Sequence, residues 1–93
     1  MYIVEFHNLK PNDEVDEALT EHRAFLAKYV ERGIIVAAGP KVPRTGGMMV
    51  IANVPRAELD AMLAEDPFLV RGSARCEVTE FRSNFLSPAL VQT

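Results

Sequence analysis

Residues 2–8 alternate: Tyr2, Val4 and Phe6 fall on one face, Ile3, Glu5 and His7 on the other. That period of two predicts a half-buried strand. Residues 8–13 are polar and contain Lys10-Pro11-Asn12-Asp13, which predicts a turn with Asn12 or Asp13 as the capping acceptor of a helix. Glu14, Asp16 and Glu17 place negative charge where the positive end of a helix dipole favours it. Val15, Leu19, Leu26 and Tyr29/Val30, with Phe25 beside them, form a helical stripe to about Arg32, and Gly33 is a good stop.

Residues 34–38 are a short apolar, β-branched run closed by Gly39-Pro40, read as a buried strand. A basic connection follows through Lys41, Pro43, Arg44, Thr45, Gly46 and Gly47. Residues 48–54 are apolar on both faces, as in a central strand, and Pro55 opens a second helix with Leu59, Met62 and Leu63 inward. Asp66-Pro67 ends it, because a residue before proline avoids the α region. A short turn leads to a last strand over residues 74–82.

The order β-α-β-β-α-β, with right-handed crossovers, predicts an α+β ferredoxin-like fold. It has a four-stranded antiparallel sheet and two helices on one face. The other sheet face would carry Ile3, Glu5 and His7 with apolar residues of the second and third strands. A face that apolar should not stay wet, so the expectation is a homodimer packed sheet to sheet. Residues 1–83 make up the domain. Residues 84–93 are a tail without period, whose Phe85, Leu86 and Leu90 either fray or pack on a partner.

Composition narrows the picture. Ninety-three residues, 48% of them hydrophobic, are too few for two domains and build only a thin core. That supports a partner subunit. A net charge of −3, with 10 Lys and Arg scattered among 13 Asp and Glu, argues against nucleic acid. No apolar run approaches the roughly 20 residues that span a bilayer. The amino-terminal segment has no signal-peptide pattern. The single cysteine, Cys76, excludes an internal disulfide or multi-cysteine zinc cluster, fits a reducing cytosol, and reads as an inert thiol in a strand.

His22 is the most informative residue. Its spacing puts it on the apolar stripe of the first helix, where an imidazole needs a hydrogen-bond partner. It is either a satisfied core histidine or a general acid or base. Asp66 also reads two ways: as a cap for the turn opened by Pro67, or as the carboxylate that orients His22. The topology lets them meet, because the first helix leaves the end of the sheet that the second approaches. His7, Lys41, Arg44 and Arg71 are expected at that same end, with positive charge suited to an anionic or phenolic small molecule. His7, His22, Glu5 and Asp66 are metal-ligating residue types. Their spacing fits no metal motif, so no metal is expected. The chain carries no phosphate loop, dinucleotide fingerprint or nucleophile elbow, so no nucleotide cofactor is expected either.

His22 with Phe25-Leu26, then Gly33, Ala38-Gly39-Pro40, a Gly-containing loop and Asp66-Pro67-Phe68 form an ordered set. Over about residues 1–82 this set resembles the YCII-related domain. The resemblance implies a dimeric ferredoxin-like fold (a dimeric α/β barrel) with His22 and Asp66 as the active-site pair. It also implies a likeness to small dehydrochlorinases that act on a chlorinated hydroxyhydroquinone, and to muconolactone isomerases. Two departures bear on the pocket: a short connection at residues 41–46 and a longer tail after Arg82. The leading expectation is a cofactor-independent lyase or isomerase of aromatic catabolism, with His22 and Asp66 catalytic and His7, Arg44 and Arg71 binding substrate. The alternative is a non-catalytic dimeric module that binds a small ligand. His22 hydrogen-bonded to Asp66 beside an open pocket favours the enzyme, and a sealed His22 bonded to backbone favours the module.

Overall fold

The computed structural model describes residues 1–90. Its strands are β1 (Tyr2–Asn8), β2 (Ile35–Pro40), β3 (Gly46–Ile51) and β4 (Ala74–Glu80). They form one sheet in the order β2-β3-β1-β4, and every neighbouring pair is antiparallel. This is the ferredoxin-like α+β arrangement predicted from the sequence. β1 and β3 hold the central places.

The alternation in β1 sorts the two faces. Tyr2, Val4 and Phe6 are buried and meet Ile35, Met49, Ile51 and Ala74 from the other strands. The helical layer covers this side. Phe25 and Tyr29 come from α2 (Leu19–Glu31), and Leu59, Met62 and Leu63 from α3 (Arg56–Leu63). Each fully buried side chain in this layer contributes about 1.5–3 kcal/mol.

The first predicted helix is broken in two. A short α1 (Asn12–Asp16) precedes α2, and the chain tightens between them through Glu17 N–H to the Glu14 carbonyl and Ala18 N–H to the Val15 carbonyl. These bonds span three residues rather than four. They let Val15 and Ala18, both buried, face the core from adjacent turns. Asn12 does not cap α1: its Oδ1 accepts from the Asn8 side chain at 3.1 Å, and Pro11 stands at the cap position. α2 ends as predicted. Gly33 takes φ 75°, and Ile34 N–H reaches back to the Tyr29 carbonyl at 3.1 Å.

The turn after α3 holds a one-turn helix, α4 (Pro67–Val70), with Asp66 as its N-cap. After β4 the chain forms a 3₁₀ turn at Pro88–Leu90. Within the tail, Phe85 is almost fully exposed and Leu86 and Leu90 are about half exposed. Residues 91–93 of the tail lie outside the described residues. Among the described residues, no helix is long and apolar enough to cross a membrane.

The second sheet face is uncovered in the single chain and is less apolar than expected. Ile3, Val50 and Met48 alternate there with charged positions of β1 and β4. Glu5 pairs with Lys41 at 2.6 Å, and Glu77 with Arg75 at 2.9 Å. The Lys41 ammonium holds the Glu5 carboxyl below its usual range.

Candidate active site

Asp66 is fully buried, and one of its oxygens has two partners. Oδ1 accepts the Phe68 backbone N–H at 2.9 Å and lies 3.2 Å from Nδ1 of His22. The capping role and the His-orienting role, posed as alternatives from the sequence, are held together by a single atom. The other oxygen, Oδ2, is buried without a hydrogen-bond partner. A carboxylate only accepts, so with Asp66 ionised the Nδ1 of His22 carries the hydrogen, and Nε2 is the basic nitrogen of the neutral ring.

Phe68 fixes the imidazole from its flat side. The two rings stack with centroids 3.8 Å apart and planes inclined by 15°. The hydrogen-bond partner and the nearer stacking ring of His22 therefore both come from the segment Asp66-Pro67-Phe68, and Phe25 of α2 stacks more distantly, at 6.2 Å. Proline sets the first turn of α4 and presents the Phe68 amide to the cap.

His22 and Phe68 line a cavity of about 340 Å³, whereas Asp66 stands behind the ring and does not. This volume is at the small end of the range for ligand pockets. Leu19, His22, Arg23 and Leu26 contribute one face of α2, and Val15 and Asp16 come from α1. Phe6 and Met49 line it from the sheet, with Gly39 and Pro40 at the end of β2, Gly46 and Gly47 at the start of β3, and Arg44 from the connection between them. Apolar carbon dominates this surface, and the polar groups gather at Asn8, Asp16, His22, Arg23 and Arg44.

The predicted binding residues separate. Arg44 lines the cavity, but its guanidinium is paired with Asp16 across the mouth. Hydrogen bonding to Arg44 holds the Asp16 carboxyl below its usual range. Arg71 pairs with Glu21 at 2.6 Å and is not a lining residue. Lys41 pairs with Glu5 at the open sheet face and does not line the cavity. His7 is also on the open sheet face, with Nε2 3.6 Å from Glu77 and 3.9 Å from Glu5. The four ligand types considered for a metal thus divide between two faces of the sheet. Glu5 and His7 lie beside Glu77, away from His22 and Asp66.

The sequence reading missed Arg23. It stands four residues after Leu19 and three before Leu26, on the cavity-facing stripe of α2. The periodicity that singled out His22 also reaches it. Cys76 is half-buried on β4, and burial, with the Asp66 charge nearby, pushes its thiol up, as suits an unreactive side chain.

The family model for the YCII-related domain matches residues 1–82. The chain belongs to the YCII-related domain family. Its fold is similar to that of the 5-chloro-2-hydroxyhydroquinone dehydrochlorinase of Burkholderia phenoliruptrix, solved in complex with 2,5-dihydroxybenzoquinone. The TM-score is 0.69 at 18% identity, covering 88% of this chain and 94% of the other. No curated protein sequence matches the chain. In this YCII-related domain, the Asp66-Pro67-Phe68 segment supplies both the partner and the stacking surface of His22.

Proposed function

We propose that the cavity is the active site of a lyase or isomerase acting on a small phenolic or anionic aromatic compound, with His22 as general base and Asp66 as its positioning residue. The observation that carries this reading is the 3.2 Å contact between a buried carboxylate and an imidazole that borders an open, mainly apolar cavity. Asp66 holds the tautomer that leaves Nε2 basic and stabilises the imidazolium once the proton arrives. In a dehydrochlorination, Nε2 takes a proton from the substrate. The C–Cl electron pair departs with chloride, and a new π bond forms. The products balance as HCl plus the unsaturated ring, with no electron acceptor required. The structural likeness to a dehydrochlorinase that binds a quinone supports this substrate class.

Arg44 remains within this reading as a cavity residue. Arg71 and His7 fall outside it, because neither borders the cavity. The reading also includes a homodimer packed through the open sheet face, where Ile3, Val50 and Met48 surround the Glu5–Lys41 pair. The test is turnover of a panel of chlorinated hydroquinols by the wild type and by His22→Asn. The expected result is chloride release that falls about 10²–10⁴-fold in the variant. Equal turnover by the two proteins overturns the reading.

A further inference from the structure

The charged residues that border the cavity are Asp16, Arg23 and Arg44, besides His22. Asp16 and Arg44 are engaged with each other. Arg23 has no ion pair and no side-chain hydrogen bond among the described residues, and its charge reaches Asp16 only through space. Two guanidiniums therefore face one carboxylate, and the excess positive charge belongs to Arg23. Asp66 does not cancel it from within the cavity, since it lies behind the imidazole with Oδ1 already bonded by His22 and Phe68.

Arg23 shares one stripe of α2 with Leu19 and Leu26, and all three border the cavity, so its apolar stem can lie along their surface while its charged head stays hydrated. A guanidinium placed so matches a planar, two-oxygen anion, because its donors form a fork. His22 immediately precedes Arg23, and both border the cavity. A single ring carrying one anionic group can then lie against Phe68 and the α2 leucines, with its charge on Arg23 and its body beside His22.

We infer that Arg23, rather than the Arg44 or Arg71 indicated by the sequence, is the specificity-determining anion-binding residue. The ligand class is a small aromatic monoanion, a carboxylate or phenolate. The assignment presupposes that the cavity is the substrate site, but binding and turnover report on the two ideas separately.

The test is calorimetric titration of the full chain with benzoate and with benzamide, its uncharged analogue of nearly the same shape. Wild type is expected to prefer benzoate. Arg23→Gln should weaken benzoate about tenfold and leave benzamide within about twofold, the size of one charge-assisted contact. Arg23→Lys should fall between, having the charge without the fork. Arg82→Gln, which makes the same change in net charge at a distance, should bind as wild type does. The inference is overturned if Arg23→Gln binds benzoate as wild type does, if wild type does not distinguish the two probes, or if it binds neither. A wild type that does not prefer benzoate, yet shows His22-dependent turnover, would remove the Arg23 assignment alone. Intact preference with His22-independent turnover would remove the catalytic reading alone.

Discussion

Nδ1 of His22 and Oδ1 of Asp66 are 3.2 Å apart, and that oxygen also accepts the Phe68 amide at 2.9 Å. One atom thus serves both the local chain conformation and the side chain expected to move a proton. Asp66→Ala deletes both contacts, with an expected loss of about 1–3 kcal/mol of stability. Asp66→Asn keeps an oxygen for the cap and should lose less. His22→Ala removes one donor from a buried carboxylate whose second oxygen is already unpartnered. Urea denaturation of the two alanine variants and the double variant should give a coupling energy of about 0.5–3 kcal/mol. Strict additivity would show that the contact contributes nothing to the folded state.

Gly46 pairs with His7 across the β1–β3 ladder, and a Cβ built there would come within 1.8 Å of the Phe6 carbonyl oxygen. The obstacle is backbone, so no rotamer relieves it. Gly46→Ala should therefore lower stability by about 1–3 kcal/mol or more, with a lower urea midpoint and an unchanged slope. Gly47→Ala, whose nearest new contact would be the Gly39 carbonyl oxygen at 3.3 Å, should be milder. An unchanged midpoint for Gly46→Ala would mean that β1 and β3 separate at no cost.

The Tyr29 hydroxyl donates to Glu65, tying α2 to the second residue after α3. This bond, with help from Lys28, holds the Glu65 carboxyl below its ordinary value of 4.5. The same bond raises the Tyr29 phenol above its ordinary 10.0. A depressed carboxylate contributes stability above its unfolded value and loses it as pH falls through the folded one. A raised phenol contributes below its unfolded value and loses it as pH rises through the folded one. The stability advantage of wild type over Tyr29→Phe should thus be flat near neutrality and shrink on both the acid and the alkaline side. Parallel stability curves from acid to alkaline pH would rule out the linkage.

Local pattern carried most of the fold. Alternation in β1 identified its core face, and the two-sided apolar run at residues 48–54 placed β3 inside the sheet. The same alternation separated His7 from Phe6 and so from the cavity, although the end of the strand alone had grouped His7 with Arg44. The break after Asp16 had no proline or glycine to announce it. It follows from Val15 and Ala18 both being drawn into the core, which is a tertiary effect. Ion pairs were the least legible feature: Glu21 holds Arg71, and Asp16 holds Arg44, across 50 and 28 positions of chain. Arg23 was missed because an exposed arginine on a helix resembles a solvated charge until the partners of its neighbours are known.

Asp66, Pro67 and Phe68 are consecutive, and between them they supply the carboxylate, the turn that presents it and the ring that steadies the imidazole. The machinery around His22 is therefore a compact graft. Moving this tripeptide, with the rest of its single helical turn, to the loop ahead of an edge strand in another α+β protein should re-create the oriented imidazole, provided a histidine waits on the facing helix.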